Sequence, residues 1–277
     1  MSDCKPEEFL AATICRLILD PSQPTARHVA VGAASPVPAA ACYLAQKLGY
    51  PIRLSLLART QGNPFSDGTR ELFDLTGQGR IDLFFLGGGQ IDGEANLNLV
   101  GTGEWPGKGV RFPGSFGSAF MYMMTPRIIL FREEHSPRVL VSKVDNISAN
   151  GVSPPGVFRR GHAQALVTGR CVFRFHPDRA RFSLASVHAG ETVESVRAAT
   201  GFDFDVDGSI PTTPPPTTEE LALLRGPVCD EMLETYPDFC ARVFSRSDDQ
   251  SAPLPHEASL RGDPEGGRGG LNQPALT

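Results

Sequence analysis

The sequence predicts an α/β fold: a single domain with a mixed, largely parallel open sheet flanked by helices. Short apolar runs rich in valine, leucine and phenylalanine alternate along the chain with stretches of helical periodicity. A glycine turn joins an early run to an alanine-rich stretch, and a later run leads directly into three glycines. Strands that alternate with helices form parallel layers, because each helix crosses back over the sheet before the next strand begins.

The first element is a helix expected over residues 6–19. Pro6 suits its first turn, and the carboxylates of Glu7 and Glu8 interact favourably with the positive end of the helix dipole. Apolar residues then recur with helical spacing as far as Ile18. The proline-containing stretch that follows ends the helix.

A strand, a glycine turn and a second helix come next, as at the start of a βαβ unit. Residues 28–32 form an apolar run that ends in glycine, and a second strand is expected over residues 52–57. Ser35 suits the N-cap of the intervening helix, and Pro36 suits its first position. The turn either presents backbone N–H groups to a phosphate or is a plain connection, and it matches neither a dinucleotide-binding nor a nucleotide triphosphate motif.

The later elements follow from the same patterns. The run over residues 182–187 alternates apolar and small polar side chains, so it should pair antiparallel with its predecessor. Short helices begin near Thr192 and Thr218, either of which suits a cap. Further strands are expected at residues 81–86, 139–144 and 165–175, and the last of these either runs straight or contains a bulge or turn.

The domain is expected to occupy residues 1–244. From residue 245 to 277 the chain is rich in glycine, proline, serine and aspartate and has few apolar residues. Such a composition cannot bury enough apolar surface to offset the entropy of ordering the chain. The sequence therefore predicts a disordered tail over residues 245–277.

Composition and charge exclude several classes of protein. A net charge of −5 is not the basic surface that non-specific nucleic-acid binding needs. No apolar run approaches the roughly 18 residues of a membrane span, and the first residues lack the pattern of a secretory signal, so a cytoplasmic protein is expected. The 6 cysteines are widely spaced without a CxxC pair, and no HExxH is present, so neither disulfides nor a metal site is expected.

Two polar, glycine-rich segments are candidates for binding a ligand. In the first, glycines directly after a buried strand allow close approach to the backbone, and polar side chains two positions apart point the same way on an extended segment. The alternative is a hairpin around Gly93 with Asn and Asp as turn formers. The residues of this segment are Gly87, Gly88, Gly89, Gln90, Asp92, Asn96 and Asn98.

The second segment contains Gly114, Ser115 and Gly117 and leads into an apolar stretch. A loop of this kind exposes N–H groups that can hold a thioester carbonyl or a phosphate. A glycine-rich connector without a ligand is the alternative. A turn containing Glu133, Glu134 and His135 is interpreted as solvated rather than metal-binding.

The order of these segments and the residues within them resemble the motifs of a known family. GGGQID followed by NLN, then VRFPGSFGSA, KVD, SVHAG and VESVRAATG, is similar to the beta-type subunit of the family I CoA-transferases, to which glutaconate CoA-transferase belongs. The resemblance covers roughly residues 6–244 and is closest to the branch that includes steroid ring-cleaving CoA hydrolases. It implies a CoA-transferase-like fold, substrate contacts at the two candidate segments, and an alpha-type partner subunit. Lys143 and Asp145 of the KVD motif are expected to support the loop ends.

One feature of the family is missing. Its transferases attack through a glutamate at the end of the second strand, whereas residues 54–63 contain neither Asp nor Glu. A carboxylate nucleophile is indispensable for CoA transfer. The resemblance therefore favours hydrolytic carbon–carbon cleavage of a ring-derived acyl-CoA, with the catalytic carboxylate on the partner. CoA transfer and a non-catalytic binding or scaffold role are the alternatives. Coenzyme A is expected as part of the substrate, with no bound cofactor and no catalytic residue assigned in this chain.

Overall fold

The computed structural model describes residues 4–63, 65–104 and 109–244. The expected tail, residues 245–277, lies outside them. The helices are α1 (Pro6–Ile18), α2 (Pro36–Lys47), α3 (Gly68–Gly77), α4 (Ser118–Met124), α5 (Val193–Ala198), α6 (Thr218–Leu223), α7 (Cys229–Met232) and α8 (Pro237–Val243), with a π-helical turn at Leu224–Val228. The strands are β1 (His28–Val31), β2 (Arg53–Leu56), β3 (Leu83–Leu86), β4 (Gln90–Ile91), β5 (Leu97–Asn98), β6 (Arg127–Arg132), β7 (His162–Thr168), β8 (Cys171–His176) and β9 (Arg181–Val187).

The main sheet has 7 strands in the order β2-β1-β3-β6-β7-β8-β9. The strands from β2 through β7 pair in parallel, whereas β8 and β9 extend the sheet antiparallel. This mixed, largely parallel sheet confirms the predicted fold class. The chain leaves β1 towards the edge strand β2 and then returns to the other side of β1 as β3. The crevice at the carboxyl ends of β1 and β3 is therefore the point where open α/β sheets bind ligands.

Two apolar layers cover the two faces of the sheet. On one face, α1 and α2 pack with the C-terminal helices around Ile14 and Leu44. On the other face, the core contains the buried rings of Phe173 and Phe182. Successive side chains of a strand point to opposite faces, so Val29 lies in the first layer and Ala30 in the second. None of the helices in the described ranges has the length and apolar character that crossing a membrane requires.

The opening βαβ unit lies where the sequence places it. α1 begins at Pro6, and α2 begins at Pro36 with Ser35 as its N-cap. The two short helices predicted after β9 begin at caps formed by Thr192 and Thr217, whose hydroxyls accept from the backbone three residues later. The predicted strand over residues 165–175 is a hairpin of two strands, β7 and β8, and β9 pairs antiparallel with β8 as expected.

The strand predicted at residues 139–144 is wrong. Leu140 makes one isolated parallel bridge to Ile91, and the N–H groups of Val139 and Leu140 donate to the carbonyl of Ser136 in a turn. The apolar side chains are buried there without a ladder partner in the main sheet. The sheet position is instead taken by β6, whose apolar residues are bracketed by arginines and were not predicted as a strand.

Candidate active-site cleft

A cleft of about 1080 Å³ opens at the carboxyl ends of β1, β3 and β6. Its volume slightly exceeds the usual range of small-molecule sites, which is roughly 300–1,000 Å³. The turn before α2 forms one wall, the glycines after β3 form the floor, and the exit of β6 forms the opposite wall. Residues of the 99–113 segment close one side. The cleft therefore lies at the switch point of the sheet, where a ligand is expected.

The floor of the cleft is formed by Gly87, Gly88 and Gly89. A Cβ added to Gly87 would lie 2.8 Å from the carbonyl oxygen of Phe131, and one added to Gly89 would overlap the ring of Phe112. The chain therefore already needs glycine at these positions, because its own backbone and side chains pack against them. The predicted role of the run in binding substrate stays a prediction.

The wall before α2 offers few donors to an anion. Pro36 and Pro38 carry no N–H, so Val37 alone among the first three helical residues has an amide hydrogen. The side chain of the N-cap Ser35 makes no capping hydrogen bond. The carbonyl of Ala33 accepts from the hydroxyl of Tyr236 at 2.9 Å. A phosphate at this turn would find little of the usual N-terminal cluster of N–H groups.

Behind the floor, β4 and β5 form a hairpin whose polar side chains bond one another. The Asn98 amide donates to Oε1 of Gln90 at 2.8 Å and to the carbonyl of Gly101 at 2.7 Å. The Asp92 carboxylate accepts from the backbone N–H of Asn96 at 3.0 Å and from its side-chain amide at 3.2 Å. All four side chains are buried. This is the hairpin around Gly93 that the sequence left open, and these side chains are absent from the cleft lining among the described residues.

Asp145 ties this hairpin to the segment that closes the cleft. Its N–H donates to Oε1 of Gln90 at 3.0 Å, and its carboxylate accepts from the N–H of Gly103 at 2.9 Å. The ring of Phe112, on the returning half of the same segment, covers Gly89. Asp145 therefore supports the loop ends, whereas the same role for Lys143 stays a prediction.

The second predicted segment begins beside the cleft, where the preceding Pro113 belongs to the lining. Gly114, Ser115 and Gly117 do not line it. Gly117 packs against the ring of Phe73, which would overlap any added Cβ, and the neighbouring ring of Phe116 is 75% exposed with a positive φ of 46°. The role of this loop in binding the thioester stays a prediction. Sequence reasoning missed the aromatic cluster beside it, which includes the contacting rings of Phe73 and Phe116.

Sequence reasoning missed the arginines of the cleft and placed Glu133 and Glu134 in a solvated turn, whereas both glutamates line the cleft. Arg132, Arg138 and Glu134 lie at the exit of β6, where Arg138 binds both oxygens of Glu134 at 2.7 and 2.9 Å. Arg242 of α8 pairs with Glu7 of α1 across the rim. Hydrogen bonds from Arg138 and Ser136 lower the pKa of Glu134, so this carboxylate is ionised at neutral pH. The signal in the sequence that could have predicted these groups is the charged run 132–134, which directly follows the apolar run 128–131.

The end of β2 carries no acidic residue, yet a carboxylate approaches it from elsewhere. Oε1 of Glu234 accepts from the hydroxyl of Thr60 at 3.2 Å and from the N–H of Gln61 at 2.9 Å. Arg59 lies 3.9 Å from the other oxygen of this carboxylate. Glu234 therefore fixes the loop after β2, and its carboxylate is occupied by these hydrogen bonds.

The interpretation of the Glu133–His135 turn as solvated is wrong for the histidine. His135 is buried, with Nδ1 2.8 Å from the hydroxyl of Thr168 and Nε2 2.9 Å from that of Thr200. Burial, aided by the charge of Arg170, lowers the pKa of His135 to about 4, so the ring is neutral at pH 7. Burial also raises the pKa of the nearby Cys171 thiol to about 12, which makes it a poor nucleophile.

The fold matches that of several solved structures. The chain superimposes on glutaconate CoA-transferase from Acidaminococcus fermentans with a TM-score of 0.71 and 20% identity over 88% of this chain and 99% of the other. It superimposes on IpdAB from Rhodococcus jostii RHA1 with a TM-score of 0.68 and 24% identity over 81% and 94%, respectively. The decarboxylase AibA/AibB gives a TM-score of 0.66 at 22% identity over 80% and 94%. At these identities the similarity establishes a CoA-transferase-like fold.

Three proteins are related to the chain by sequence. They are one subunit of the 3-oxoadipate CoA-transferase of Pseudomonas knackmussii (29% identical over 53% of this chain and 58% of the relative), one subunit of the glutaconate CoA-transferase of Acidaminococcus fermentans (30%, 46% and 50%), and the IpdB subunit of the cholesterol ring-cleaving hydrolase of Rhodococcus jostii (30%, 56% and 62%). The matches thus span about half to three fifths of each relative. No protein-family model matches the chain. The chain is homologous to beta-type subunits of the CoA-transferase family, which confirms the resemblance that the motifs indicated.

Proposed function

We propose that the chain is the beta-type subunit of a heteromeric enzyme acting on an acyl-CoA thioester, with the cleft as its side of the active site. The position of the cleft at the switch point of the sheet supports this proposal. Its volume of about 1080 Å³ accommodates the acyl and thioester portion of such a substrate. Coenzyme A enters as part of the substrate, and an alpha-type subunit is the partner.

The favoured reaction is hydrolytic carbon–carbon cleavage of a ring-derived, steroid-like thioester. The observation that carries it is the loop after β2, where residues 54–63 contain no carboxylate and the approaching Glu234 is held by Thr60 and Gln61. CoA transfer needs a carboxylate that attacks the thioester. Hydrolysis needs only a base that activates water, which the partner subunit can supply. The similarity to a cholesterol ring-cleaving hydrolase subunit supports this choice.

In this function the cleft contributes shape and polar groups rather than the base. The backbone of Gly87 to Gly89 faces the thioester, and the loop containing Gly114, Ser115 and Gly117 contacts the substrate from the side of the partner. The buried amides and carboxylate behind the floor fix its geometry. Within this run the N–H of Gly89 donates to the carbonyl of Asn98 at 2.9 Å, so a donor that stabilises the developing oxyanion has to come from Gly87 or Gly88.

A non-catalytic binding or scaffold subunit is the second candidate. The packing of Gly89 against Phe112 and of Gly117 against Phe73 favours it, because the chain's own contacts then account for both glycines. CoA transfer is a third candidate, in keeping with the names of two relatives. It requires a nucleophilic carboxylate from another source.

The test begins with the partner. The tagged chain, recovered gently from its native host, is expected to carry a stoichiometric alpha-type subunit, identified by mass spectrometry. The complex is then incubated with acyl-CoA thioesters in ¹⁸O-labelled water. Carbon–carbon hydrolysis places labelled oxygen in the new carboxylate, CoA transfer moves CoA to an added acid without label, and a scaffold does neither. Recovery of the chain as a monomer or homo-oligomer contradicts the two-subunit proposal.

A further inference from the structure

The three arginines that line the cleft differ in how well the chain pairs them. Arg242 pairs with Glu7, and Arg138 binds both oxygens of Glu134 in a bidentate geometry. Arg132 reaches Glu134 only through Nη2 at 3.4 Å. Among the described residues, Nε of Arg132 is buried and has no hydrogen-bond partner. Of the three arginines that line the cleft in the described ranges, Arg132 is therefore the least satisfied.

Most of the acceptor capacity of the Glu134 carboxylate is already used by groups other than Arg132. Its Oε1 already accepts from the Ser136 hydroxyl at 2.8 Å and from both Nε and Nη2 of Arg138. The carboxylate of Glu134 thus accepts from two guanidinium groups, and most of its hydrogen bonds come from Arg138. A buried N–H without a partner is costly, because the group gives up its bonds to water and regains none. An oxyanion in the cleft would not reach the buried Nε, but it would pair with the terminal nitrogens of Arg132, which Glu134 engages only at 3.4 Å.

The position of Arg132 fits an oxyanion on a ligand. Arg132 ends β6, whose register with β3 places Leu130 beside Leu86, one residue before the glycine floor. Its side chain is 41% exposed and belongs to the lining of the cleft. The opposite wall supplies few amide donors because Pro36 and Pro38 lack N–H groups. An anion in this cleft therefore finds its best donors at the exit of β6.

We infer that the guanidinium of Arg132 binds an oxyanion of the substrate in the cleft. The inference rests on the proposed function, because it assumes that an acyl-CoA thioester enters here. The planar guanidinium suits carboxylate or phosphate oxygens, which it binds through two parallel N–H donors. The oxyanion belongs either to a carboxylate on the acyl group or to a phosphate of coenzyme A.

The experiment measures the binding of three ligands to the full chain, together with the partner that co-purifies, by isothermal titration calorimetry. Coenzyme A carries the phosphates alone, pentanoyl-CoA adds an uncharged acyl chain, and glutaryl-CoA adds a terminal carboxylate. The variant is Arg132→Met, which keeps the stem and removes the donors. Arg179→Met is the control, since Arg179 is a half-exposed arginine outside the cleft that pairs with Asp205.

Arg132→Met is expected to weaken binding on the order of tenfold, as for loss of a charge-assisted hydrogen bond, while Arg179→Met leaves it unchanged. Weakening for all three ligands identifies a CoA phosphate, and weakening for glutaryl-CoA alone identifies the acyl carboxylate. Unchanged affinity for every ligand overturns the inference while leaving the proposed function intact. Failure of the unmodified protein to bind any of the three refutes the proposed function, and the inference with it.

Arg132→Lys keeps the test decisive if the methionine variant does not fold. Lysine retains the charge but loses the planar pair of donors, so a partial loss of affinity is expected. Equal affinity of the lysine variant and the unmodified protein at low and high salt would show that the fork of donors is not used, and would overturn the inference.

Discussion

The floor of the cleft and the exit of β6 lie side by side and are built on different principles. The floor carries the glycines that a motif made conspicuous, and each position is filled from within by the chain's own backbone or by the Phe112 ring. The exit of β6 carries no recognised motif, yet it presents two arginines and two glutamates to the cleft. A motif residue can thus be required for packing, whereas the charged groups that line the cleft lie at positions without a motif.

The largest effect is expected in the buried network behind the floor. Asp92→Ala removes the acceptor for the backbone and side-chain N–H groups of Asn96, leaving buried donors unsatisfied. We expect a loss of about 3 kcal/mol in the free energy of unfolding, measured in urea. Asp92→Asn retains one acceptor oxygen and should lose less. Equal stability of the alanine variant would mean that the network does not support the floor.

The glycine floor itself gives the next effect. Gly89→Ala places a methyl group against the Phe112 ring, and overpacking of this kind costs about 2 kcal/mol. Because the two residues are in contact, the double variant with Phe112→Ala should lose less stability than the sum of the single variants. Strict additivity in that double-mutant cycle would contradict the assignment of Gly89 to packing.

The exit of β6 is expected to respond to pH through His135. The pKa of His135 is about 4 in the folded chain and 6.5 in the unfolded chain. As the pH falls, this imidazole is therefore protonated in the unfolded chain before it is protonated in the folded one. Stability contributed by this group is complete above pH 6.5 and is lost down to about pH 4, by about 1 kcal/mol per pH unit. His135→Asn should flatten the curve of unfolding free energy over that window. A variant with the same slope as the unmodified protein would exclude His135 as the source.

The smallest effect on stability is expected at the exposed aromatic cluster. Phe116→Ser changes a side chain that is 75% exposed, so the free energy of unfolding should move by less than about 0.5 kcal/mol. Phe73→Ser, at the half-buried ring that packs on Gly117, should destabilise the chain measurably. If the cluster contacts the partner, Phe116→Ser lowers recovery of the alpha-type subunit without changing stability. Unchanged recovery would restrict the cluster to the chain's own packing.

The sequence predicted those elements whose signals are local. α1, the βαβ unit and the capped starts of α5 and α6 depend on residues a few positions apart. The apolar run at residues 139–144 was assigned to a strand because apolar character alone does not distinguish a ladder from a buried turn. In β6, flanking arginines obscured the strand.

The candidate site was predicted only where a motif marked it. The glycines after β3 do line the cleft, whereas the loop at Gly114 does not. The environment of His135 depends on Thr168 and Thr200, which lie 33 and 65 positions further along the chain. No pattern in a single segment contains that information, and the same holds for the pairing of Arg242 with Glu7.

The pairing of Glu7 with Arg242 joins residues 235 positions apart at the rim of the cleft. Nearby, Arg225 clamps the buried carboxylate of Glu8 at 2.6 and 2.8 Å, again linking α1 to the C-terminal helices. During synthesis, α1 emerges from the ribosome long before the segment that neutralises its two carboxylates. Contacts of such long range form late and slow the search for the native state. The rim of the cleft therefore cannot be completed until the C-terminal helices have been synthesised, because α8 supplies the partner of Glu7.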